Sequence, residues 1–385
     1  MRGTCVAAVR VVERTATIAA VNTMMRNRGD ESIELKIRSG TESVRLTRSE
    51  FRERFRARFV DPAFEADAEE LATIEETAWD AYDDHRKTPR TRRAGAGFAD
   101  ENYPLSLDWL AARAAIQSAQ SLHDRRGGPS RVLVISGSAR NEHSCPGEIS
   151  KTMRLAIEAC DELRAASCHV DLLDLSRTTS EYGCTIHPCK GCASTAMPLC
   201  HWPCSCYPNH GLGQSPDWMN EIYPRWVAAH GIAIITPVYW YQAPSPLKLM
   251  MDRMVCADGG NPDPTSTHGK DPATAKALEL AGWNYPRHLA GRVFAVIVHG
   301  DTEGAETLRR NLHDWLTDMR LESAGCDLDR YIGYYQPYAT SHDEFDRCPE
   351  LVRETRNAMR QLATRVERSR IEPRTEVVVD DPRPK

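Results

Sequence analysis

The chain has 385 residues, a formal charge of -5 and 41% hydrophobic residues. That near-neutral balance supplies no global basic field for nucleic acid. No run approaches the ~18 apolar residues a membrane span requires, and the length suits two domains or one large domain with an extension. The opening stretch is mildly apolar but is broken by Arg10, Glu13 and Arg14, which argues against a secretory signal. Seven of the 13 cysteines (Cys5, Cys145, Cys160, Cys168, Cys256, Cys326 and Cys348) are scattered, so reduced thiols and a cytoplasmic protein are expected rather than a disulfide framework.

Residues 1–126 read as a mainly helical, Arg-rich extension. An acidic stretch, Asp67 to Asp84, has helical spacing, with Ala72, Ile74, Ala78 and Ala81-Tyr82 as its buried stripe. The basic runs around Arg45 to Arg58 and Arg86 to Arg93 read as solvated faces. Gly95-Ala-Gly97 follows no strand and lacks a third glycine, so it is not a dinucleotide fingerprint.

From residue 127 to 366 the pattern becomes regular. Five apolar strands, Arg131 to Ile135, His169 to Leu175, Gly231 to Thr236, Arg292 to His299 and Asp329 to Tyr334, alternate with helical segments Gly147 to Ala166, Asp217 to Ala229, Pro246 to Cys256, Glu303 to Leu321 and Glu350 to Val366. Near-continuous apolar strands separated by helices predict an α/β fold, a doubly wound parallel sheet covered on both faces. The flavodoxin-like order 2-1-3-4-5 is the economical five-stranded choice. The polar, Pro-punctuated tail, 367–385, is expected to be disordered.

Such a sheet binds ligands beyond the carboxyl ends of its strands, where the order reverses. Three loops meet there. Ser136-Gly137-Ser138-Ala139-Arg140 opens towards a helix start and offers amides, small hydroxyls and an arginine to a phosphate. Pro237-Val238-Tyr239-Trp240-Tyr241-Gln242 places three adjacent aromatics at a strand end, where large rings stay wet unless something flat, the extension or a second subunit covers them. His299-Gly300-Asp301-Thr302-Glu303-Gly304 is polar and glycine-bearing. A planar heterocycle between the last two, with its phosphate in the first, satisfies all three.

Gly137-Ser138-x-Arg140, the small-residue helix start at Gly147 to Lys151, and Pro237-Val238-Tyr239-Trp240 followed by Leu247-Lys248 and Asp252-Arg253 resemble the flavodoxin-like NADPH-dependent FMN reductase family over about Arg131 to Leu321. The resemblance implies bound FMN, reduction by NADPH or NADH, a homodimer or homotetramer, and a small-molecule electron acceptor of quinone-like or other electron-poor character. It implies that Ser138, Arg140 and Ser150, beside Ser136, bind the FMN phosphate. Pro237, Val238, Tyr239, Trp240, Tyr241 and Gln242 would lie along the isoalloxazine, with His299, Gly300, Asp301 and Gly304 at its far edge. Asn141 to Pro146 is an insertion relative to the family, which leaves Ser144, Ser150 and Thr152 as alternatives for phosphate contact. No acid or base is obligatory in such a reaction; Tyr239, Tyr241 and His299 are candidate proton donors.

Between the second strand and its helix, residues 184–210 hold Cys184, Cys189, Cys192, Cys200, Cys204 and Cys206 with His187, His201 and His210. C-x2-C spacing suits zinc or a cluster, as in the related iron-sulfur flavoproteins. The gap before Cys200 favours a structural loop without metal, and a redox-active Cys189/Cys192 pair is a further alternative. A second insertion, 257–288, is long enough for a lid or an oligomer contact. The reading is an FMN-dependent NAD(P)H oxidoreductase; an electron-transfer iron-sulfur flavoprotein and a non-catalytic flavin-binding interaction protein are the alternatives.

Overall fold

Val132 to Ile135, Ile232 to Ile235 and Val293 to Val298 are almost wholly shielded from water on both faces, which is why these β-branched runs form strands and not helices. The computed structural model describes residues 35–42, 45–144 and 147–372. The chain divides into two units, Met1–Thr41, whose described residues carry no regular element, and Glu42–Lys385. The opening stretch, Cys5, Cys145 and the tail from residue 373 lie outside the described residues.

Within the second unit, β1 (Thr91–Arg93) and β2 (Pro104–Ser106) form a small antiparallel hairpin, with Gly95 and Gly97 in its loop. The main sheet contains β3 (Arg131–Ser136), β4 (His169–Asp174), β5 (Gly231–Pro237), β6 (Val293–Gly300), β7 (Glu322–Ser323) and β8 (Leu328–Tyr331). All its pairings are parallel, in the order β4-β3-β5-β6, and β7 and β8 both pair with β6. The expected order 2-1-3-4-5 is therefore present, but its last position is shared by two short strands rather than the single run Asp329 to Tyr334. The break has a local cause. Phe294 pairs with Ser323 and Ile297 with Leu328, so the edge loops out between them at Gly325, and the Asp327 side chain accepts the Val296 amide that a strand would have taken.

The helices are α1 (Arg48–Arg56), α2 (Ala68–Asp83), α3 (Leu107–His123), α4 (Lys151–Ala165), α5 (Met219–Ala228), α6 (Ser245–Arg253), α7 (Pro272–Leu280), α8 (Ala305–Asp318) and α9 (Pro349–Ile371), besides single turns. Alternate strand residues sort onto two faces. Leu133, Ile135, Ile232, Ile234, Phe294 and Val296 pack on α3, α5, α6 and α8; Val132, Val134, Ala233, Ile235, Ala295 and Ile297 pack on α4 and α9. Ile116 and Ala119 of α3 belong to the first of these cores, so the extension shares a hydrophobic layer with the sheet. No helix among the described residues is long and apolar enough to cross a membrane.

Two elements differ from the pattern expected of the sequence. In α2 Ala81 is buried as expected, but Ile74 is 54% exposed and the carboxylate of Glu75, 1% exposed, is buried beside it instead. Arg52 and Arg56, one helical turn apart on α1, meet it at 2.8 and 2.6 Å, with Arg48 at 3.6 Å. Part of the arginine density thus pairs internally. At the other end α9 continues past Val366 to Ile371, because Arg370 donates to the carbonyls of Arg125, Arg126 and Gly128 and to Ser130 Oγ; residues 367–371 are helical, not disordered.

Candidate functional site

The carboxyl ends of β3, β5 and β6 open onto a cleft of about 580 Å³. Its floor is set by close backbone approach. A Cβ on Gly137 would lie 2.6 Å from Thr236 Oγ1, and the Gly137 amide donates to Ile235 O at 2.8 Å, so the first loop can leave β3 only as glycine against β5. Beyond it Ser138 is buried and its Oγ accepts the Arg140 amide at 3.1 Å. Ser150 caps α4, accepting from the Met153 amide at 3.0 Å, and thereby starts the helix at Lys151 rather than at Gly147.

The amino terminus of α4 faces the cleft with two cations beside it. Arg140 holds Glu148 at 2.5 Å through Nη2, while its buried Nε has no partner among the described residues. Burial holds the Lys151 ammonium below its usual range, against the pull of Asp301. Helix dipole, two cations and hydroxyls converge on one end of the cavity, an arrangement suited to a phosphate. Ser144 is not there: Asn141 is tied to Ser176 and Ser180 at 2.6 and 2.8 Å, and its carbonyl accepts from Ser144 Oγ, so the inserted turn faces the chain after β4.

The aromatic loop forms a two-residue turn. Tyr239 and Gln242 exchange amide hydrogen bonds of 2.9 Å, and Trp240 and Tyr241 both occupy left-handed backbone, at φ 45° and 66°. Such a turn ordinarily takes Asn-Gly. Two bulky residues there cost about 1 kcal/mol or more each, a strain typical of functional sites. It presents Trp240 and Tyr241 to solvent, 93% and 59% exposed. The third loop supports the turn from behind: a Cβ on Gly300 would lie 2.6 Å from Val238 Cγ1, and one on Gly304 (φ 107°) 3.0 Å from Tyr241 Cα.

Of the residues singled out by sequence, Ser138, Arg140, Ser150, Pro237, Val238, Tyr239, Trp240, Tyr241, His299, Gly300 and Asp301 line this cleft. Ser136, Gln242 and Gly304 do not. Ser136 is fully buried at the end of β3, Gln242 closes the turn with its backbone, and Gly304 backs Tyr241. Sequence reasoning missed one wall altogether, Tyr335, Tyr338, Ser341 and His342 from the segment after β8. Tyr335, at φ 54°, donates its amide to Asp301 O at 2.8 Å and so fastens this segment to the third loop. Tyr335 and Tyr338 are 66% and 77% exposed. The density of tyrosines between Tyr331 and Tyr338 was the available signal.

His299 is buried, with Nε2 2.8 Å from Thr152 Oγ1; burial, and then Lys151, push its imidazole down to about 3. Burial likewise pushes His123, His230 and His288 down to about 4. These rings are neutral in the folded chain at every ordinary pH, whereas unfolded histidine takes up a proton near pH 6.5. Stability is therefore expected to be flat above about pH 7.5 and to decline as the pH falls from about 6.5 to 5, before most carboxylates titrate. Urea midpoints at stepped pH measure this, and constant midpoints over that window would contradict the neutral assignments.

The 184–210 and 257–288 insertions pack on each other, not on the cleft. Trp202 donates to Asn261 O at 3.1 Å, and Asn261 to Cys200 O at 2.7 Å. Neither insertion contributes a lining residue. Among the described residues no set of three or more His, Cys, Asp or Glu side chains is arranged to hold a metal ion. Cys192 has its hydrogen-bonded sulfur partner in Cys206, at 3.4 Å, rather than in Cys189.

A family model described as NADPH-dependent FMN reductase matches residues 130–323. No curated protein matches the chain. Among solved structures, RosB with its bound intermediate 8-demethyl-8-formylriboflavin-5'-phosphate aligns at 12% identity over 66% of this chain and 95% of that one, TM-score 0.44. A flavone reductase aligns at 18% over 62% and 64%, TM-score 0.36. The apo form of the NADH:FMN oxidoreductase EMOB aligns at 14% over 61% and 89%, TM-score 0.36.

Proposed function

The chain belongs to the NADPH-dependent FMN reductase family, and from that premise we propose that its cleft passes reducing equivalents from NAD(P)H to a flat, electron-poor acceptor of quinone type. Membership makes this a flavin-dependent oxidoreductase with FMN as cofactor and NAD(P)H as reductant. A single observation supports the acceptor class. Four exposed aromatics, Trp240 and Tyr241 from one loop and Tyr335 and Tyr338 from another segment, line one cleft whose far end is cationic.

The residues present fit the cofactor. Ser138, Ser150, Arg140 and Lys151 at the amino terminus of α4 would hold the phosphate, and the unpartnered Nε of Arg140 is a donor ready for it. Pro237 to Tyr241, with His299 to Asp301, would flank the ring. When bound, the flavin supplies the redox chemistry itself. The protein binds, orients and excludes water. His299 serves by positioning Thr152 and the loop, since its ring is neutral and engaged. Tyr239 and Tyr241, both reaching solvent, are the groups available to give a proton to a reduced quinone oxygen.

The test is steady-state NADPH oxidation by the FMN-loaded protein with menadione and with ferricyanide, a small octahedral acceptor that stacks on nothing. Truncating both Tyr335 and Tyr338 to alanine is expected to raise the KM for menadione about tenfold, as loss of one to two aromatic contacts would, with ferricyanide rates unchanged. Equal effects on both acceptors, or none on either, would remove the aromatic wall from acceptor binding.

A further inference from the structure

Away from the cleft, the two insertions bring three reactive groups together. Cys192 Sγ lies 3.4 Å from Cys206 Sγ, and Lys270 Nζ, from the second insertion, lies 3.6 Å from Cys192 Sγ. A disulfide needs about 2.05 Å between sulfurs, so rotation of one thiol spans most of the remaining gap. Cys192 is partly exposed and Cys206 is buried beneath it, which sets one sulfur to meet a reagent and the other to follow. The segment between the two cysteines is tied to the second insertion by the bonds between Asn261, Cys200 and Trp202.

The chemistry of the sulfurs agrees with this placement. The Cys206 hydrogen bond, followed by Lys270 acting against burial, holds the Cys192 thiol down to about 6. Burial pushes Cys160 up to about 11, and Cys256 and Cys326 up to about 12, which leaves those thiols inert. The C-x-x-C spacing of Cys189 and Cys192 would suggest a different pair, yet it is the more distant Cys206 that the fold delivers.

We propose that Cys192 and Cys206 form a redox-active dithiol, with Lys270 as its fixed cation, that exchanges with low-molecular-weight disulfides. The Cys192 thiolate attacks one sulfur of the disulfide RS–SR; that bond breaks, RS⁻ leaves and takes a proton, and a Cys192–S–SR bond forms. Cys206, giving its proton to solvent, displaces the second RS⁻ and closes the Cys192–Cys206 disulfide. Two protein thiols lose two electrons and two protons, and RS–SR gains both to become two RSH.

The experiment equilibrates the full-length FMN-loaded protein in graded reduced and oxidised glutathione, blocks free thiols, cleaves at Lys190 and Leu199 to separate Cys189, Cys192 and the peptide holding Cys200, Cys204 and Cys206, and fragments the crosslinked peptide to tell which of those three is joined. The expected result is a Cys192–Cys206 crosslink that appears in one transition, with Cys206→Ser trapping glutathione on Cys192 and Cys192→Ser removing reaction at this site. Lys270→Met is expected to slow alkylation of Cys192 about tenfold near pH 7 and to move its pH midpoint upward. The wild-type map decides the pairing even where a variant fails to fold. A crosslink of Cys192 to Cys189, Cys200 or Cys204, no crosslink in the most oxidising buffer, or zinc or iron bound at one per chain and holding these thiols would each overturn the proposal.

Discussion

Asp217→Ala is expected to cost about 3–5 kcal/mol of folding stability, because it leaves the Arg253 guanidinium buried without its counter-charge. The two side chains are 1% and 3% exposed and meet at Nη2–Oδ2 2.5 Å and Nη1–Oδ1 3.0 Å. Nη1 also donates to His187 O at 2.9 Å, and the guanidinium lies 4.7 Å from the centre of the Tyr207 ring. Arg253 is the last residue of α6, the helix that follows the aromatic turn; Asp217 precedes α5, and His187 and Tyr207 belong to the Cys-rich insertion. One ion pair thus joins two sheet-covering helices to the insertion. At about 2–4 °C per kcal/mol for a domain of this size, the midpoint of thermal unfolding should fall by about 6–20 °C. Asp217→Asn keeps an acceptor in place and should lose less. Asp217→Leu combined with Arg253→Met should recover most of the loss, since a buried pair stabilises little beyond an apolar replacement. Circular dichroism melts of the three variants measure this, and a fall under about 3 °C for Asp217→Ala would mean that Arg253 finds water when its partner goes.

The legible parts of this molecule are those whose physics is local or periodic. Val132 to Ile135 and Ile232 to Ile235 read as strands because burial on both faces leaves no polar residue to interrupt them, and strand order with loop position then brings the three loops of the cleft together. What escaped reading depends on partners distant in sequence. Glu75 is buried because α1 lays guanidiniums over it, a fact invisible in the pattern of α2, where Ile74 looks the better core residue. The last strand divides because one side chain, Asp327, satisfies the Val296 amide. Tyr335 and Tyr338 lie just beyond the expected strand Asp329 to Tyr334, and nothing local in the chain aims them at the cleft; Tyr335 reaches it by adopting a left-handed backbone and donating its amide to the Asp301 carbonyl. C-x-x-C spacing drew attention to Cys189, while tertiary packing gives Cys192 a hydrogen-bonded partner fourteen residues on, in Cys206.

Arg140→Ala is expected to raise the dissociation constant for FMN about 10- to 150-fold, the equivalent of about 1.5–3 kcal/mol for a lost charge-assisted contact. The effect requires that the first loop hold the phosphate, as proposed above. Arg140 stands where the dipole of α4 and the Lys151 ammonium already favour an anion, and its present partner, Glu148, is 55% exposed at the side-chain level. An exposed carboxylate holds a cation with only about 0–1 kcal/mol, so a phosphate dianion in the cleft should outcompete it, and Glu148→Gln should tighten FMN binding by up to about fivefold. Riboflavin supplies the control. It carries the same ring without the phosphate, so its affinity should be untouched by Arg140→Ala and by Glu148→Gln, and should fall when Trp240 is replaced by alanine. Quenching of flavin fluorescence, titrated for both ligands at low and at physiological ionic strength, separates the two ends of the cleft, because only the phosphate end should weaken with salt. If Arg140→Ala lowered riboflavin and FMN affinity by the same factor, Arg140 would be acting on the shape of the loop and the phosphate would have to be held elsewhere.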